Sequence, residues 1–344
     1  MRNMLAISVI VAALLAALAG SGSAQVETPK LTLAVGGQPL YIYLPLTLAQ
    51  QLGYFKEGSV DVDIVDVAGG AKALEAILGG SASVVCGFID HTIEMQAQGK
   101  SIKMFVLYDR YPGLVLAVTK AGQAKGIKTA ADLRGAKIGV TAPGSSTNFF
   151  AQYMLAKSGI SADDASYIGI GTAATAVAAA RRGVVDALVN VDPTITILAK
   201  SGDVQILADT RTTLGTIRVF GGPYPAGGLY TTPAFMERNP KTVQALATAS
   251  VKALHWIKTH TAEEIADKMP EQFYQSDKAL YVASLKENLE MFSLDGRISL
   301  TGLQTIAKVL SAFDKQVVAN PSRVNPSAAF TNEYVEQAHK TLKF

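Results

Sequence analysis

The sequence predicts an α/β protein of two similar lobes, each a mainly parallel sheet flanked by helices. Three observations lead there. Strand-like and helix-like segments alternate from Lys30 onward, and such alternation folds into parallel sheets through right-handed crossovers. The order strand, small-residue loop, helix, strand, Gly-opened helix, strand occurs twice and then stops, which marks a two-copy architecture rather than a solenoid. Corresponding loops in both copies are rich in Gly, Ser and Thr, and they fall beyond the carboxyl ends of strands, where open α/β sheets bind ligands.

The gross numbers agree. A chain of 344 residues with 49% hydrophobic content can bury more than one ordinary domain core. A formal charge of +3 and a charged fraction of 17% give no electrostatic footprint for nucleic acid. Cys86 is the only cysteine, so an internal disulfide and a Cys-based zinc cluster are excluded. Within "SVVCGF" it reads as a small buried hydrophobe. Residues 1–24 read as a cleaved signal peptide: Arg2, an apolar run from Met4 to Ala19, then "GSGSAQ" with the cut after Ala24. The run is short of the roughly 20 apolar residues a spanning helix needs. The expectation is a soluble periplasmic protein.

In the first copy, "KLTLAVG" (Lys30 to Gly36) is a strand, and "LPLTLAQQLGYF" is a helix with Pro45 in its first turn and Gly53 at its end. "VDVDIVDV" alternates as a strand, Gly69-Gly70 opens the helix "AKALEAIL", and "SVVCGFI" is a buried strand. "DHTIEMQAQG" reads as a helix with Asp90 as N-cap. "IKMFVLY" and "LVLAVT" are strands on either side of Asp109 to Gly113. The second copy runs "KIGVTA", a helix opened by Gly144 to Thr147, "ASYIGIG", the helix "TAATAVAAARRG", and "VDALVN". "VFGGPYPAGGLY" (Val219 to Tyr230) reads as the return crossover. Helices follow over Pro240 to His260, Thr261 to Met269, Ser276 to Phe292 and Leu300 to Val318, with a last one after Pro321 to Pro326. They are expected to pack mainly on the first lobe.

The chemistry lies in the paired loops. Gly36-Gly37-Gln38 corresponds to Gly144-Ser145-Ser146, Gly69-Gly70-Ala71 to Gly171-Thr172-Ala173, and Gly87-Phe88 to Asn190 and Asp192. Helix starts carry unpaired N–H groups and partial positive charge. Ser145-Ser146-Thr147 therefore either caps a helix or holds a carboxylate, sulfonate or phosphate, and three such starts on one cleft favour binding. A helix terminus contributes roughly 0.3–1 kcal/mol to an ion, ~2 when partly buried. Micromolar affinity needs about 8 kcal/mol, so enclosure, direct hydrogen bonds and apolar contact must supply the rest. Tyr41, Tyr43, Phe88, Tyr108 and Tyr224 are the aromatic candidates, and Gln38, His91 and Asp192 the polar ones. Arg110 is either an anion partner or a surface ion-pair member. "HTAEE" at His260 lacks a second histidine, Gly169-Ile170-Gly171 lacks the rest of a dinucleotide fingerprint, and no Gly-x-Ser-x-Gly elbow or P-loop occurs. No catalytic residue, metal or cofactor is assigned, and an enzyme is not expected.

"LPLTLAQQLGYFKEGSVDVDIV", "GGAKALEAILGGSASVVCG", "LRGAKIGVTAPGSSTNFFAQYMLAKSGI" and "GVVDALVNVDPTI", in this order, resemble the substrate-binding proteins of ABC importers, of the nitrate/sulfonate/taurine and thiamine-precursor type. The resemblance covers Leu31 to Tyr230. It implies a two-lobed periplasmic-binding-protein fold that closes on a small solute and docks to an inner-membrane ABC permease, as a monomer and without nucleic acid. It divides the chain into residues 25–112 (first lobe), 113–218 (second lobe) and 219–344 (crossover and helical cover). The cleft segments it implies are Gln38 to Tyr43, Gly69-Gly70, Phe88 to His91, Gly144 to Thr147, Gly171-Thr172 and Asp192. With Tyr224 from the aromatic candidates, the cleft set is Gln38, Tyr41, Tyr43, Gly69, Gly70, Phe88, Asp90, His91, Gly144, Ser145, Ser146, Thr147, Gly171, Thr172, Asp192 and Tyr224. The expected ligand is a small organic anion. A thiamine-precursor pyrimidine or other neutral aromatic solute, held by aromatics and Asp192, is the alternative; a secreted enzyme or a periplasmic ligand sensor is the reading of a different class.

Overall fold

The computed structural model describes residues 25–274 and 276–343; the signal-peptide reading lies outside the described residues. Among the described residues ten strands form two sheets: β1 (Lys30–Val35), β2 (Asp61–Asp66), β3 (Val84–Phe88), β4 (Lys103–Leu107), β5 (Val115–Thr119), β6 (Lys137–Val140), β7 (Ser166–Gly169), β8 (Ala187–Asn190), β9 (Val204–Asp209) and β10 (Gly227–Thr231). The sheet orders are β2-β1-β3-β10-β4 and β7-β6-β8-β5-β9.

These orders are the same motif twice. In each sheet four strands run one way, and a single strand, β10 or β5, runs against both neighbours. The first sheet takes β1–β4 and then β10, while the second is the consecutive run β5–β9, so the reversed strand is the last of the first sheet and the first of the second. The chain therefore crosses between sheets twice, at 108–114 and 210–226. Apolar runs occupy the centre: β3, β5, β8 and β10 are buried throughout, as strands covered on both faces require. β2, with Asp61, Asp63 and Asp66, takes an edge, where charge discourages further pairing.

The long helix Pro240–Thr259 lies against Leu44–Gln51 and Glu333–Leu342 over the first sheet, while Leu300–Leu310 touches both Asp90–Ala97 and Ser146–Lys157 and so bridges the lobes. One hydrophobic core runs from the first sheet into the second, with a smaller cluster around Val115, Ile170 and Leu188. Cys86 is buried and free, and burial pushes its thiol well above the usual range. No helix among the described residues is long and apolar enough to cross a membrane.

Two local expectations are corrected. Leu300 to Val318 is two helices, Leu300–Leu310 and Lys315–Ala319, because Asp314 accepts hydrogen bonds from the Gln316 and Val317 N–H groups and starts a new helix there. Asp90 is not an N-cap: Ile89 holds that position, and the Asp90 carboxylate turns away to partners outside its helix.

The two crossovers meet at Asp109. Tyr108 N–H donates to Gly227 O at 2.7 Å and Ala226 N–H to Asp109 O at 3.1 Å. Gly227 N–H donates to Asp109 Oδ2 at 3.2 Å. A Cβ at Gly227 would overlap Asp109 Oδ2 and reach within 3.0 Å of Ile42 O. Gly227→Ala is expected to cost about 1–3 kcal/mol through overpacking, read as a lower thermal midpoint. Asp109 is fully buried and its Oδ1 has no partner among the described residues. Burial raises its carboxyl well above the usual range, with the Gly227 N–H pulling the other way. A raised acid binds its proton more tightly folded than unfolded, so it withdraws stability as pH climbs above the unfolded carboxylate pKa. Asp109→Asn is expected to raise the unfolding midpoint at neutral pH and leave it unchanged near pH 3; an unchanged neutral midpoint would refute this.

Candidate functional site

Three helices begin at the paired loops: Gly70–Leu78, Ser146–Lys157 and Ala173–Arg181. Their N-cap residues are Gly69, Ser145 and Thr172, and neither hydroxyl caps its own helix. Elsewhere Thr119, Thr212, Thr232 and Thr261 do cap. Simple capping therefore does not explain the hydroxyls at the loops.

Ser145 instead reaches across. Its Oγ accepts a hydrogen bond from Ala71 N–H at 3.0 Å, in the first turn of the other lobe's helix. Beside it, Ser146 Oγ donates to Asp90 Oδ1 at 2.7 Å, and Tyr224 OH donates to Asp90 Oδ2 at 3.3 Å. Thr147 pins the loop from within: its Oγ1 accepts from Thr141 N–H at 3.0 Å and lies 2.9 Å from Thr141 Oγ1. Gly144, at φ 83°, donates its N–H to Asn148 Oδ1 at 2.9 Å.

Gly70, Ser145, Ser146 and Thr147 share one interlobe cavity of about 20 Å³ with Tyr43 and Phe88. A water needs roughly 10–15 Å³ measured this way, so in this closed arrangement the space is about that of one or two waters, and a nitrate, carboxylate or sulfonate head requires the lobes to part. Two helix starts face it, and the N–H groups of Gly70, Ser146 and Thr147 lie outside the i→i−4 ladder of their helices. The sequence reading passed over Thr141 and Val191; Gly36 lay in a paired loop, and Leu40 and Ile42 in the Gln38 to Tyr43 cleft segment, without being singled out as contacts. Each adjoins a strand end or a loop already singled out, so the missing signal was one of apolar wall rather than polar chemistry.

His91 stands behind the wall. It is fully buried, its ring meets Phe149 edge-on at 5.4 Å, and Nδ1 lies 3.4 Å from Glu94 Oε2. Nε2 has no partner among the described residues. Burial pulls the His91 pKa down, but the Glu94 contact and the Asp90 charge outweigh it, and the net direction is up. Burial raises the Asp90 carboxyl; His91 and the Ser146 hydroxyl oppose that rise. Burial also lifts the Tyr43 phenol, which stays neutral.

The remaining candidates make contacts farther along the cleft, some within one lobe and some between the two. Gln38 and Gly37 donate backbone N–H groups to Asp66 Oδ1 at 3.0 and 2.7 Å, and the Gln38 amide donates to Thr47. Gly69, at φ 94°, leaves room for Ala142 of the other lobe, and the Thr172 methyl packs on Gly37. Gly171 donates to Thr141 O, and Ala173 N–H is taken by Thr194 Oγ1 at 3.2 Å, so this third helix start does not line the cavity. Tyr41 donates its N–H to Asp192 O at 3.0 Å and its OH to Tyr281 O at 2.8 Å. Tyr224 stacks on Phe220 with centroids 4.1 Å apart. Arg110 donates to the Glu290 carbonyl, away from the cavity.

Both Asp192 oxygens are engaged. Oδ1 accepts from Thr196 N–H at 2.8 Å; Oδ2 accepts from Arg211 at 3.2 Å and from Asn288 at 2.8 Å. Arg211 and Asn288 carried no sequence signal, since Asn288 meets Asp192 across 96 residues of chain. Asp192 thus joins the second lobe to the helical cover of the first. Asp192→Ala leaves a buried N–H and a half-paired guanidinium, and is expected to cost about 2–4 kcal/mol. Asn288→Ala removes two hydrogen bonds, to Asp192 and to the Ser284 carbonyl, but leaves no charge unpaired, and is expected to cost about 1–2 kcal/mol, less than Asp192→Ala. Chemical unfolding checks the order; equal losses would contradict it.

Against this geometry the comparisons with known proteins are specific. A model of the family described as NMT1/THI5 like matches residues 42–264. A solved structure from Bordetella bronchiseptica RB50 is 46% identical, covers 93% of this chain and 100% of its own, and superposes with a TM-score of 0.90. The alkanesulfonate-binding protein SsuA from Xanthomonas axonopodis pv. citri, bound to MOPS, matches at 20% identity over 90% of this chain and 100% of that one, with a TM-score of 0.70. The periplasmic nitrate-binding protein NrtA from Synechocystis PCC 6803 matches at 15% identity over 92% of this chain and 90% of that one, with a TM-score of 0.71. The last two share the fold. With its family match spanning well over half the sequence, the chain belongs to the NMT1/THI5-like family.

Proposed function

We propose that this protein is the solute-binding component of an ABC importer, exported to the periplasm through a cleaved N-terminal signal peptide. It binds the negative end of a small organic anion, a sulfonate or carboxylate, between its lobes and delivers it to an inner-membrane permease. It works as a monomer and performs no chemistry. The observation that carries this reading is the meeting of two helix starts at one interlobe cavity, with hydroxyls that do not cap their own helices. Two N-termini present convergent donors and partial positive charge to the same point, which suits a single negatively charged group. SsuA and NrtA, whose names give an alkanesulfonate and nitrate, support an anion. We take residues 25–112 with 219–344, and 113–218, as the moving bodies; the paired crossovers at Asp109 and Gly227 are the hinge. A ligand that touches both lobes favours the closed arrangement by its differential affinity for it.

A second reading has its own observation. A cavity of about 390 Å³ lies between the second lobe and the helical cover, walled by Arg181, Pro193, Lys200, Phe273, Tyr274 and Tyr281. That volume is within the usual range for small-molecule sites, and its aromatic wall suits a neutral ring such as a pyrimidine. Asp192 does not help there, since its carboxylate is already satisfied.

Calorimetry with nitrate, ethanesulfonate, benzoate and an aminopyrimidine separates the two. The Ser145→Ala, Ser146→Ala double variant is expected to weaken anion binding about 5- to 30-fold, the loss of one or two hydrogen-bonding groups. Unchanged anion affinity would reject the first reading. Aminopyrimidine binding that survives this variant but is lost in Tyr281→Ala would establish the second.

A further inference from the structure

Gly70 occupies a position where glycine is not required by backbone geometry: unlike Gly69, it has no left-handed φ. As the first residue of a helix it would be better served by alanine. What distinguishes it is the space where a side chain would stand. A Cβ there would lie 3.4 Å from His91 Nε2 and 4.0 Å from Ser145 Oγ, in ordinary contact with both. Gly70 therefore leaves a bare face between the cavity and a buried imidazole nitrogen that has no partner among the described residues.

We infer that His91 is the charged donor for the bound anion, reached over the open face of Gly70, and that binding takes up a proton at Nε2. The inference rests on the anion reading above. The chemistry follows from the two ring nitrogens. With Nδ1–H directed at Glu94 Oε2, a neutral His91 presents a lone pair on Nε2 and repels an anion. Protonation converts that lone pair into an N–H donor and adds a positive charge where water is excluded. The groups around the ring favour the charged form. Asp90 and Glu94 lie on its own helix, Asp314 of the neighbouring helix lies close to Glu94, Tyr224 donates to Asp90, and Tyr230 of β10 faces both acids. Ser145 and the Phe149 ring complete the surroundings. The bound anion adds a further negative charge opposite them. The sign is fixed: a histidine held above its ordinary pKa contributes at low pH and loses its contribution as pH rises through that pKa.

The test is calorimetry with nitrate and ethanesulfonate on the full mature chain from pH 6 to pH 9, in two buffers of different ionisation enthalpy. The wild type is expected to lose affinity by up to about tenfold per pH unit on the alkaline side, and to take up a fraction of a proton on binding near pH 8. His91→Gln keeps a donor without the charge; its binding is expected to be weaker at pH 6 and flat across the range. Gly70→Ala is expected to keep or raise the thermal midpoint while weakening anion binding about tenfold or more, because the methyl covers Nε2. Anion binding that depends on Ser145 yet is flat with pH and indifferent to His91→Gln would overturn this inference and leave the anion reading standing. A pH dependence that persists in His91→Gln would also overturn it. Failure of both anions to bind the wild type at any pH would remove both readings.

Discussion

Two helices approach each other nose to nose across the cleft, and the rest of the structure accommodates that meeting. Each N-terminus carries about half a positive charge, so bringing the starts of Gly70–Leu78 and Ser146–Lys157 to one cavity is electrostatically unfavourable by itself. Two contacts relieve it. Ser145 Oγ takes the Ala71 N–H, so one lobe satisfies the orphan donor of the other. Asp90, buried and acid-weakened, receives the Ser146 and Tyr224 hydroxyls. These contacts tie the lobes without filling the cavity, and the remaining N–H groups keep the positive character that a negatively charged guest would neutralise.

The placement follows from topology. Because β1, β2 and β3 recur as β6, β7 and β8 in the same sheet positions, the loops after them lie at corresponding strand ends and face one another when the lobes close. The return of β10 to the first sheet after the run β5–β9 makes the chain cross twice, and the two crossings are joined through Asp109 and Gly227. On the proposed hinge reading, two adjacent connections confine relative motion to bending about their common line. Farther from these crossings, Asp192 with Arg211 and Asn288 fastens the second lobe to the helical cover. The closed arrangement is thus held at both ends of the cleft, by separate groups.

Much of this was legible in the sequence, for identifiable reasons. Apolar runs such as "SVVCG" and "VLAVT" could only be covered strands, and the doubled order of elements fixed two mainly parallel sheets. The glycines and hydroxyls at Gly69-Gly70 and Gly144 to Thr147 marked strand-to-helix junctions by chemistry alone. What was not legible depends on contacts between distant parts of the chain. The Asp90 carboxylate looked like a local cap because nothing nearby reveals Ser146 and Tyr224 as its partners. Asp192 looked like a ligand group because Asn288 and Arg211 are remote. Leu300 to Val318 looked continuous because the apolar spacing carries through, although Asp314 offers the backbone a competing start. The assignment of Gly70 as a glycine needed for its missing side chain requires knowing where His91 points.

The central claim is that the two facing helix starts receive the ligand's negative end. Amide resonances report this directly. In an isotope-labelled sample titrated with ethanesulfonate, the account predicts that the largest amide proton shifts, in the downfield direction of a new hydrogen bond to an anion, occur at Gly70, Ser146 and Thr147 together. Shifts concentrated instead at Tyr274, Asp277 and Tyr281, around the larger cavity, with those three amides unmoved, would contradict it.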